Sequence, residues 1–127
     1  MNIRFLLLVA VLLDAPATYA KDITGIWKYN DAAVWIVIDG EKGTGVVARN
    51  DEHPDRVGKD VLKDLVPVNA EEGVWKAQIL ADGRDRYRDA DITLVGLGQM
   101  NIKAKWGIFF RNFEWLRYKE VPDASQE

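Results

Sequence analysis

Two short stretches of the chain gather side chains with chemical capacity. Asn50-Asp51-Glu52-His53-Pro54-Asp55 holds three carboxylates and the only histidine, donor types that suit a hard cation or a zinc ion. The spacing matches neither an EF-hand loop nor a His-x-x-x-His pair, and adjacent residues of an extended loop point in different directions. A solvated turn accounts for it, and no metal or other cofactor is expected. Gly83 to Asp91 alternates in sign, and Arg84, Arg86 and Arg88 with Tyr87 offer donors to a polar head group or an anionic glycan. The plainer reading is an exposed hairpin rich in ion pairs, each worth under about 1 kcal/mol. The chain has no Cys, and its single Ser, Ser125, lies near the C-terminal end. Thiol nucleophiles, Cys-containing zinc sites, disulfides and a Ser-His pair near the core are excluded. No two acids have the spacing of a general acid/base couple, so no catalytic residues are expected.

These side chains need a scaffold, and 127 residues supply one core rather than two. Hydrophobic residues at 48% and charged residues at 29% are the balance of a folded soluble domain. Lys and Arg number 17 against 20 Asp and Glu, for a net charge of -3, with no long basic run. The electrostatic footprint of a nucleic-acid binder is missing.

Met1 to Arg4 form a short basic n-region, Phe5 to Leu13 are uninterrupted apolar residues, and Ala15 to Ala20 end in small side chains. This pattern predicts a secretory signal peptide over 1–20 with cleavage after Ala20. As a helix, Phe5 to Leu13 would reach about 14 Å, half of a bilayer core, too short for a permanent span. The domain is then 21–127, periplasmic or secreted, and not membrane-spanning after cleavage.

The remainder reads as short strands. Ala33 to Ile38 is β-branched and aromatic, and Asp39 to Gly43 turns it back into Thr44 to Arg49. Met100 to Trp106 alternates without error, placing Met100, Ile102, Ala104 and Trp106 on a core face. Gly25 to Tyr29, Val61 to Val68, Val74 to Leu80, Arg86 to Leu94 and Ile108 to Tyr118 are similar, separated by Gly, Asp, Asn or Pro clusters. Pro67 puts its strand at an edge or a bulge, and a short helix around Arg56 to Lys63 competes with the strand reading there. About eight strands without helical periodicity predict an all-β fold, a small antiparallel meander closed into a barrel. Lys103, Lys105, Arg86 and Arg88 would face lipid or crowd the lumen of an outer-membrane barrel, which favours the soluble form. Such a barrel holds one small ligand or is filled by side chains, and five Trp fill much of it. Trp35 alternates against Val34, Ile36 and Ile38. It is expected outside, as part of a contact surface, or else buried under a loop or the tail.

Gly25-Ile26-Trp27 opens the first strand and Arg117 lies in the last, the arrangement that closes the floor of lipocalin-like barrels by stacking guanidinium on indole. Further marks follow in order: Pro54-Asp55 with Gly58 before a strand, Trp75 after an acidic turn, Asp82-Gly83 leading to Tyr87, and Arg111-x-x-x-Trp115-x-Arg117. Together they make the chain resemble the domain of unknown function 2147 family, small exported bacterial proteins with a lipocalin-like barrel. Lys59-Asp60-Val61 replaces the family's Arg-Pro-Leu, and the next hairpin is about three residues shorter. The resemblance implies the fold and export and implies no reaction; Gly25, Trp27, Arg111, Trp115 and Arg117 are expected as structural barrel-closure residues. The expected function is non-catalytic binding of a small apolar or amphipathic molecule, its polar end toward Arg84, Arg86, Tyr87 or Arg88. The alternative is a structural or protein-interaction module of the envelope with a filled core and an exposed Trp35.

Overall fold

The computed structural model describes residues 22–80 and 86–123; the predicted leader, Arg84 and the end of the tail lie outside them. Eight antiparallel strands follow in order: β1 Gly25–Tyr29, β2 Val34–Asp39, β3 Thr44–Asn50, β4 Asp60–Asn69, β5 Val74–Ile79, β6 Arg88–Val95, β7 Gln99–Trp106 and β8 Phe109–Tyr118. Each pairs with the next, and β8 returns to β1 to close the barrel. Closure leaves no strand at the end of the sheet. Between β3 and β4 the expected helix shrinks to one 3₁₀ turn, Pro54–Arg56. Gly58 at φ 87° ends it, and Asp60 begins the strand. Pro67 lies at a register shift of β4, and a second shift between Lys63 and Val66 contains Asp64 at φ 52°. That bulge turns both Leu62 and Leu65 into the core.

Strand alternation decides the interior. Trp27, Ile38, Leu62, Ile92, Leu94, Met100 and Ile102 are buried in one cluster and fill the lower part of the barrel. At this end the backbone must pass close to a side chain. Gly25 has φ 148°, and a Cβ there would lie 2.7 Å from Arg117 Nη1. Without it, the Arg117 guanidinium carbon rests 4.3 Å from the Trp27 ring centroid. Arg117 donates to the carbonyls of Leu97 at 2.8 Å, Thr24 at 3.0 Å and Asp22 at 2.6 Å, and Trp27 Nε1 donates to Ile23 O at 3.0 Å. Gly25, Trp27 and Arg117 thus form the floor.

Strand pairing also sets two depths along the barrel. Arg111 is not at the floor: it pairs with Ala104 near the other end of β8, and its guanidinium lies 4.7 Å from the Trp106 centroid. Trp106 shares the inward side with Met100, Ile102 and Ala104, but as the last residue of β7 it reaches only the rim and is half-buried.

Trp35 does lie on the outer side of β2, yet it is only 2% exposed. Arg49 stacks on it at 4.5 Å, Lys28 at 5.5 Å, and the Tyr118 ring meets it edge-on at 5.9 Å. Arg49 is held in turn by Asp51 at 2.7 Å and donates to Pro122 O in the tail. The exposed contact surface is replaced by a small satellite core that the tail helps to cover.

Candidate functional site

Opposite the floor, β1 ends at Tyr29, β2 begins at Val34, β3 ends at Asn50, β4 begins at Asp60 and β5 ends at Ile79. Beneath the 50–60 loop the interior is not filled. A cavity of about 490 Å³ opens there, within the range of small-molecule sites. Its wall is apolar: Val34, Ile36, Val47, Val61, Ile79, Phe113 and Trp115. Its rim is polar: Tyr29, Asn50, Glu52, His53, Asp55, Arg56 and Lys59. Two cations and two carboxylates share that rim, so it carries no strong net field.

The loop is built to roof the cavity. Asn50, buried at the end of β3, accepts the His53 N–H on Oδ1 at 2.8 Å, turning the chain inward. Pro54 then starts the 3₁₀ turn without needing a donor. Gly58 N–H donates to Val47 O at 2.8 Å, and Val47 N–H donates to Lys59 O at 3.0 Å. These bonds tie the returning loop to β3, while β3 and β4 pair directly only at Gly45–Leu62 and Val46–Asp60.

Two side chains lining the cavity carry donors. Trp115 is buried, its ring lines the cavity, and its Nε1 is itself enclosed and has no hydrogen-bond partner among the described residues. Tyr29 packs edge-on against Phe113 with centroids 5.6 Å apart. Burial and the nearby Asp31 hold its hydroxyl above the ordinary phenol range, with Arg111 pulling the other way. It therefore stays a neutral donor at physiological pH.

The arginine hairpin is elsewhere. Arg86 is exposed and does not line the cavity. Tyr87 donates to Asp60 O at 3.1 Å and has Lys63 4.3 Å from its ring centroid. Arg88 turns inward opposite Ile79, but stacks 3.8 Å from the Trp106 centroid. Arg88, Trp106 and Arg111 therefore close the β6–β8 side of the mouth, and the opening is left on the β1–β4 side. The cations at the cavity are Arg56 and Lys59 instead. Sequence reasoning singled out Asn50 to Asp55 for its donors and passed over Tyr29. Tyr29 was within reach, since it lies two residues beyond Trp27 and so on the same face. Among the described residues no three His, Asp or Glu side chains converge as a metal set.

Compared with protein-family models, curated proteins and solved structures, the chain finds no match.

Proposed function

We propose that this barrel is an exported, non-catalytic binding protein for a small amphipathic molecule, a member of the domain of unknown function 2147 family that works in the cell envelope. The observation that carries the reading is the cavity beneath the 50–60 loop, with its apolar wall and polar rim. An acyl or other apolar body fits among Val47, Ile79 and Phe113. A polar end is then left at Arg56, Lys59 and His53. A cavity of this size gives micromolar rather than tighter binding to a small ligand, because few atoms share the contact.

Titration with fatty acids, lysolipids and envelope metabolites should shift tryptophan emission and raise the melting midpoint by mass action. Val61→Trp, which fills the cavity from its wall, should abolish both responses while the barrel remains folded. A panel that moves neither signal in the native chain defeats the reading and favours an interaction module. Export is tested separately: mass spectrometry of the accumulated protein should find Lys21 at its N-terminus.

A further inference from the structure

The 50–60 loop brings charge of both signs to the cavity that it roofs. Glu52 lies on the leg that leaves β3, Asp55 and Arg56 lie in the 3₁₀ turn, and Lys59 lies on the leg returning to β4. All four line the cavity. Along the loop the two carboxylates precede the two cations instead of alternating with them. The Asn50 cap fixes the departing leg, and the bonds of Gly58 and Lys59 to Val47 fix the returning one. Each leg therefore carries its charges on an anchored backbone. Among the described residues none of the four side chains is in an ion pair, so neither sign quenches the other.

A head group at the mouth feels the sum of these charges, strengthened by the apolar wall behind them. For a head group of one sign the sum cancels. An anion drawn to Arg56 and Lys59 is opposed by Glu52 and Asp55, and a cation meets the converse. A head group that carries both signs escapes the cancellation, because it can turn its negative atoms toward one pair and its positive atom toward the other. The same balance holds across the mouth at Tyr29, where Asp31 and Arg111 act on the hydroxyl in opposite directions. A neutral head group gains from neither pair.

We propose that the cavity selects amphiphiles with a zwitterionic head group over those whose head is anionic, cationic or neutral. The proposal rests on the binding reading above and names its ligand class. The apolar chain lies against Val47, Ile79 and Phe113, the negative group of the head meets Arg56 and Lys59, and its positive group meets Glu52 and Asp55. Tyr29, a neutral donor at the same mouth, serves an oxygen at the junction of head and chain.

The test uses the protein as it accumulates in cells and probes that share one twelve-carbon chain, each kept below its micellar range. These are dodecylphosphocholine, dodecylbetaine, dodecanoate, dodecyltrimethylammonium and monododecanoylglycerol. Tryptophan emission and the melting midpoint should report about fivefold tighter binding of a zwitterion than of the other three. The two zwitterions tell a phosphate from a carboxylate as the preferred anion. The double variant Glu52→Gln, Asp55→Asn should lose that margin and bind dodecanoate about two- to fivefold more tightly. Arg56→Gln, Lys59→Gln should lose it too and gain affinity for dodecyltrimethylammonium instead. Both double variants should keep the native melting midpoint without ligand, since no ion pair is broken. Equal or tighter binding of dodecanoate, dodecyltrimethylammonium or the neutral glyceride overturns the proposal and leaves the binding reading standing. A zwitterion preference that both double variants retain overturns it as well. Silence from every probe defeats the proposal and the binding reading together.

Discussion

The Arg117 guanidinium carbon lies over the Trp27 ring, 4.3 Å from its centroid, while its three nitrogens hold the carbonyls of Leu97, Thr24 and Asp22. One side chain of β8 thereby ties the segment before β1 and the β6–β7 turn to the indole that plugs the barrel. The geometry needs a planar fork of donors, which Arg has and Lys lacks.

Trp27→Ala should accordingly cost about 3–5 kcal/mol in urea unfolding. Arg117→Lys should destabilise clearly even though charge is kept. Gly25→Ala should be costly for a substitution of one methyl group, because the new Cβ meets Arg117 Nη1 at 2.7 Å and φ is 148°. If Gly25→Ala unfolds at the native denaturant midpoint, the close approach is not real.

Trp35→Ala should also destabilise, toward the lower end of the same range of about 3–5 kcal/mol. Its cover is Arg49, Lys28 and Tyr118, long side chains able to collapse into part of the space. Truncation after Tyr118 removes the Pro122 carbonyl that Arg49 uses, and should shift tryptophan emission to the red. An unchanged spectrum would mean that the tail does not shield Trp35.

The Arg49 hydrogen bond holds the Asp51 carboxyl below the ordinary carboxylate range. With the folded value lower than the unfolded one, the unfolded state binds the proton first. The contribution of the pair is present above the ordinary carboxylate range and is lost as pH falls through the folded value. Asp51→Asn should therefore be less stable than the native chain near neutrality, and the gap should close in acid. A gap of constant size across the acid range would show that Asp51 acts without its charge.

Strand order, closure and inward faces were legible in the chain because they rest on a period of two and on turn residues. Met100, Ile102 and Ala104 turn inward as the alternation of β7 requires. Arg111 and Arg117 also share a face, as their spacing in β8 dictates, yet one stacks on Trp106 at the mouth and the other on Trp27 at the floor. Alternation specifies a face; it carries no coordinate along the barrel axis, which is set by the pairing of each strand with both neighbours. That is why Trp106 reads as core and ends at the rim. The burial of Trp35 depends on Arg49 and on Pro122, 73 residues further on, a contact no local pattern encodes. The cavity likewise is lined by side chains of β1, β2, β3, β4, β5 and β8 and of the 50–60 loop. No segment of the sequence holds it, because an interior space is defined only when distant strands are brought round it, and only the tertiary structure does that.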